Sequence, residues 1–187
     1  MAPFSGESVT LPMQKQEAFD AYHTLRDALD KHCAELYSLH AQHLQCGAGC
    51  DQCCMDFSLL PVEYYAIKEQ AGTNLLKGVK PASEGGCPFL VNHRCAIYEA
   101  RPIICRTQGL PLLYMGEEQW ELSACELNFT EFDFEEFTEE NTFPQDTYNS
   151  RLFMLNNSFV ENLPEQKYSP TDLIPLRKLW EEASQAT

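Results

Sequence analysis

Thiols dominate the chemistry open to this sequence. The run Cys46-Gly47-Ala48-Gly49-Cys50-Asp51-Gln52-Cys53-Cys54 is followed at wider spacing by Cys87, Cys95, Cys105 and Cys125. Thiolate is the soft ligand that selects zinc or iron-sulfur clusters, and short loops between cysteines let several sulfurs converge at small entropic cost. These eight are therefore the candidate metal ligands. Cys53 and Cys54 are chain neighbours whose side chains point apart. They are poorly placed to share one zinc as a Cys-x-x-Cys pair does, and suit different irons of a polynuclear centre or different sites. A 4Fe-4S cluster is the first expectation, with two structural zinc sites of four thiolates each as the alternative. Cys33 stands apart, beside Leu29 and Leu36 on a helical stripe, and reads as a small core residue.

The rest of the chain must hold those sulfurs. At 187 residues, one domain with a real core is expected over residues 1–187, mainly α-helical, with a small β-hairpin and an irregular Cys-rich centre. A count of nine cysteines cannot pair fully as disulfides. No signal peptide or membrane-length apolar run is visible, so a cytoplasmic protein is expected, in a compartment that keeps thiols free. A formal net charge of −15 repels phosphate backbones and anionic lipid, so neither nucleic acid nor membrane is an expected partner.

From Gln14 to Leu44 there is no Gly or Pro, and Tyr22, Leu25, Leu29, Leu36, Leu39 and Leu44 follow a helical face, which predicts one long helix ending at Gly47 with Cys46 at its end. Leu60 to Gln70 reads as a short helix with Pro61 in its first turn and Gly72 beyond its end. Lys77 to Gly86 reads as a loop, and Cys87 to Cys105 as irregular chain broken by Pro88 and Pro102. Leu110–Met115 and Gln119–Leu122, around Gly116-Glu117-Glu118, predict a hairpin delivering Cys125. Glu131 to Glu140 has no clear period. Phe153, Leu155, Phe159 and Leu163 suggest a helix from Gln145 onward. A last helix runs to about Ala183, with Asp172 as its cap and Pro175 in its first turn.

Three of the six arginines, Arg94, Arg101 and Arg106, fall within the Cys87–Arg106 block. Guanidinium donors there would offset the negative charge of a thiolate-bound cluster and raise its reduction potential. His43 and His93 are near Cys46 and Cys95 in sequence and are weaker nitrogen-ligand candidates. Phosphate loops, His-Glu-x-x-His and Gly-x-Ser-x-Gly are absent, so no catalytic residue is assigned.

The double cysteine, Cys87-Pro88-Phe89-Leu90 and the block Cys95-Ala96-Ile97-Tyr98-Glu99-Ala100-Arg101-Pro102-Ile103-Ile104-Cys105-Arg106 resemble the CxxxCxxCC cysteine-cluster (YkgJ-like) family, described as zinc- or iron-chelating. The match spans roughly residues 46 to 125. The resemblance implies eight shared cysteines, Cys46, Cys50, Cys53, Cys54, Cys87, Cys95, Cys105 and Cys125. The family also includes a domain of flagellin lysine N-methylases, which adds a SAM-linked group-transfer enzyme, or its accessory domain, to two other readings: electron transfer or redox sensing, and a structural zinc module.

Overall fold

In a computed structural model, residues 15–72, 79, 85–163 and 167–185 are described. They are mostly helical, with five helices: α1 (Lys15–Leu39), α2 (Pro61–Ala71), α3 (Ile103–Arg106), α4 (Gln145–Glu161) and α5 (Leu176–Gln185). The strands are β1 (Ser58–Leu59), β2 (Leu90–Val91), β3 (Arg94–Cys95), β4 (Leu112–Met115), β5 (Trp120–Ser123), β6 (Phe143–Pro144) and β7 (Ile174–Pro175). Most of the expected loop from Lys77 to Gly86 lies outside the described residues.

α1 buries Ala18, Phe19, Tyr22, Leu29, Cys33 and Leu36. The stripe then continues to His40 and leaves Leu39 exposed. The helix ends five residues short of the expected Leu44, so Cys46 lies in the loop beyond it. The reason is lateral packing: the His40 ring is buried against Phe129 and Phe132, and its Nε2 meets the Asn141 carbonyl at 2.6 Å.

α2 is the shared wall between two apolar cores. Val62 and Ala66 face one core with α1 and α4; Tyr64, Ile67 and Ala71 face a second with Phe89, Ile97, Leu176 and Leu179. Its first two turns are enclosed on both sides, while Lys68, Glu69 and Gln70 are exposed. Pro61 stands at its start, where a missing N–H is harmless, and Gly72 ends it at φ +62. On α4 the buried stripe is Tyr148, Leu152, Asn156, Phe159 and Val160, while Phe153 is exposed. Asn156 takes a core position because its Oδ1 accepts from Val62 N at 3.0 Å and its Nδ2 donates to Pro170 O at 2.9 Å.

The expected hairpin is present as β4–β5, with Met115 opposite Trp120, and β6 joins β4 in parallel. β1 pairs antiparallel with β7, which seats α5 against the second core. Asp172 closes a turn by accepting from Ser169 N at 2.9 Å. The first turn of α5 is instead met from across the chain, where Asp56 Oδ1 accepts from Arg177 N at 2.9 Å. Among the described residues, no helix is long and apolar enough to cross a membrane.

Candidate metal centre

The Cys-rich loop is two successive turns. Cys50 N donates to Gly47 O at 3.0 Å and Cys54 N to Asp51 O at 2.9 Å. Gly49, at φ +98, takes a backbone conformation in the first turn that a side chain would strain. The chain then docks on the segment before Cys87 through the Met55–Gly86 bridge and Asp56 N to Gly85 O at 3.1 Å. Cys95 arrives on the β2–β3 hairpin, opposite Leu90. Its two central residues, Asn92 and His93, have φ +48 and +61, the geometry of a tight primed turn. Cys105 sits on α3, and Cys125 two residues past β5. The stretch expected to be irregular thus contains a hairpin, a 3-10 turn over Tyr98–Ala100 and one short helix.

All nine cysteines are free thiols. Eight fall into two neighbourhoods. In the outer one, Cys46 is raised by burial and by the nearby charges of Cys125 and Cys50, and Cys53 by burial and by Cys46, Cys50 and Cys125. In the inner one, burial first, then Cys53, Cys87 and Cys95, push Cys54 up to about 12. Cys105 is pushed well above the ordinary thiol range by burial first and then by Cys87, Glu63, Cys95 and Cys54. Cys95 is likewise raised by burial and by Cys87. Cys53, the foremost thiol influence on Cys54, is thus where the two neighbourhoods meet. Among the described residues, no three His, Cys, Asp or Glu side chains stand close enough together to ligate one metal ion.

The surroundings differ as well. Cys46 and Cys50 are exposed, and Cys53 and Cys125 line an open cleft of about 430 Å³ with Gln52, Gln108, Gly109 and Ser123. In the inner set, Cys87 belongs to the second core, and Cys54 and Cys95 pack against it. The donor chemistry fits a thiophilic metal: clustered thiols that raise one another's pKa are groups whose ionised forms need a cation between them. Cys33 has no cysteine among its electrostatic neighbours; burial, then Asp30, push it up to about 12.

Arg101 and Arg106 both pull Cys95 downward against burial. Arg106 is buried, and each of its three nitrogens donates within the protein: Nε to Arg101 O at 2.9 Å, Nη1 to Asp30 at 2.5 Å and Nη2 to Glu99 O at 2.6 Å. Arg101 lies over the Tyr98 ring, 3.8 Å from its centroid, and Arg94 is exposed on β3. His93 Nδ1 meets Asp51 at 2.8 Å, joining the β2–β3 hairpin to the cysteine loop, and the His43 ring packs on Phe129 and Phe132.

Three positioning residues carried no sequence signal. Glu63 is wholly inside the protein and accepts from Tyr22 Oη at 3.0 Å and Ile103 N at 2.7 Å, capping the short helix that carries Cys105. Burial raises its carboxyl, opposed by those two hydrogen bonds. Arg177 Nε donates to Asp56 at 3.1 Å and Nη2 to Gly86 O at 3.2 Å, clamping the Cys54 and Cys87 segments together. Asn128 Nδ2 donates to Cys46 Sγ at 3.2 Å. Polar residues distant in sequence from the thiols they hold leave no local pattern to read.

No curated protein and no solved structure matches the chain. A family model does match, that of CxxCxxCC, described as a putative zinc- or iron-chelating domain, over residues 45–126, a span containing all eight clustered cysteines. Residues 45–126 of the chain are thus similar to a CxxCxxCC domain, and this segment holds the eight clustered thiols.

Proposed function

We propose that the protein is a metal-binding module with two four-thiolate centres, an outer one of Cys46, Cys50, Cys53 and Cys125 and an inner one of Cys54, Cys87, Cys95 and Cys105, and that each holds a 4Fe-4S cluster. The reading is supported by the grouping of the thiols, with Cys46, Cys50, Cys53 and Cys125 near one another, Cys54, Cys87, Cys95 and Cys105 near one another, and Cys53 bordering Cys54 between them. Adjacent side chains point apart, so Cys53 and Cys54 suit different irons or different centres rather than one zinc.

When bound, such clusters supply one-electron chemistry, which makes electron transfer or redox sensing the role. The protein's own part is to set direction and charge. Arg101 and Arg106 offset negative charge near Cys95, and Arg94 adds a further cation beside it on β3. A reducing compartment such as the cytoplasm keeps the thiols available. The second reading, two structural zinc ions, is favoured by the same four-and-four division and by the burial of the inner set.

Protein purified without oxygen, analysed for metal and acid-labile sulfide, tests both. Iron with stoichiometric sulfide and visible thiolate-iron absorbance is expected. Colourless protein with about two zinc ions per chain would replace the cluster reading with the zinc one, and metal that survives loss of the cysteines would end both.

A further inference from the structure

Asn128 lies two residues beyond the segment that the family model matches, yet it is fixed against one of the thiols. Its carboxamide is buried, 4% exposed. Oδ1 accepts from Gln45 N at 2.8 Å, while Nδ2 donates to Gly109 O at 2.7 Å and to Cys46 Sγ at 3.2 Å. The two backbone partners set the orientation. Turned over, the amide would oppose N–H to N–H and carbonyl to carbonyl, so the remaining N–H of Nδ2 is committed to the sulfur. Oδ1 is also 3.7 Å from that sulfur, within reach of its proton while Cys46 is a thiol.

Gly109 closes the other side. A Cβ there would lie 2.6 Å from Cys46 Sγ and 3.2 Å from Asn128 Nδ2, and its φ of +91 strains any side chain. The sulfur occupies a slot with a glycine on one wall and an amide donor on the other.

We propose that Asn128 is a positioning residue of the outer centre, donating an N–H···S hydrogen bond to the metal-bound Cys46 thiolate and aiming it toward Cys50, Cys53 and Cys125. This rests on the reading of those four cysteines as ligands. A metal-bound thiolate keeps negative charge, and an oriented donor both stabilises it and restricts its direction; losing such a partner costs about 10- to 100-fold in metal affinity. A residue serving only to staple Gln45 to Gly109 would have no such effect.

The test loads the isotope-labelled full chain with an NMR-active cadmium isotope, a soft ion suited to thiolate sites. An Asn128 side-chain amide proton is expected to show scalar coupling to the cadmium bound by Cys46. In chelator competition, Asn128→Asp should bind cadmium at least about 10-fold more weakly at the outer centre, with the inner centre unchanged. If the variant does not fold, the coupling in the natural protein decides. Cadmium held by the four outer cysteines without that coupling overturns the role of Asn128 alone. Failure of both cadmium and reconstituted iron with sulfide to occupy those cysteines overturns the outer centre and this role together.

Discussion

The outer and inner cysteine groups are separated at their closest by one peptide bond, yet they are built from different materials. The outer thiols sit on turns and on a strand exit, beside an open cleft, with Cys46 and Cys50 exposed. The inner thiols come from the tightly turned β2–β3 hairpin, the capped helix α3 and a segment clamped by Arg177, and Cys87 is part of an apolar core. Identical side chains can thus stand in unequal settings. A centre embedded in a core contributes its binding energy to folding, whereas one at the surface exchanges its contents more easily.

The sharpest way to break this contrast is to remove one ligand from each side. Cys105→Ser should abolish metal at the inner centre and the cooperative thermal melt with it, since a structural metal contributes about 10–16 kcal/mol, as much as the whole net stability of a domain. Cys50→Ser should lose the outer metal while keeping the helical circular-dichroism signal and a cooperative melt. Equal unfolding in both variants would erase the distinction.

Next in size is Arg106→Ala, which leaves two backbone carbonyls and Asp30 without their partner. A loss of about 3 kcal/mol in denaturant titration is expected. A lowered midpoint potential at the inner centre alone should accompany it, and an unchanged potential would make Arg106 a purely architectural residue. Arg177→Ala should cost about 1–2 kcal/mol and speed inner metal release to a chelator; faster outer release would show the clamp acting elsewhere. Smallest is Cys33→Ala, expected to cost about 1 kcal/mol with metal content unchanged. In metal-free protein, alkylation followed by mass spectrometry should find Cys33 the last thiol modified.

Much of the architecture was legible because its signals are local. The proline and glycine around α2, the Gly116-Glu117-Glu118 break in the hairpin and the absence of helix breakers before Leu44 each act on the residues beside them. The end of α1 was not legible, because it depends on His40 meeting phenylalanines about ninety residues away. The α4 stripe was legible at Leu155, Phe159 and Leu163, which pack on the first core, but not at Asn156, which looks like a surface residue until Val62 and Pro170 supply its partners. Glu63, Asn128 and Arg177 escaped notice because each acts on backbone or sulfur far from itself in sequence.

The pairing of Ser58 and Leu59 with Ile174 and Pro175 has one more implication. Residues 45–126 hold every clustered thiol, but the partner of β1, the floor laid by Leu176 and Leu179, and Asn128 all come from beyond that span. The recurring unit of sequence is therefore smaller than the unit that can stand by itself. A fragment trimmed to those bounds would bare an unpaired strand and wet the aromatic ring of Phe89, so any other polypeptide that borrows the same thiol arrangement must bring its own scaffolding.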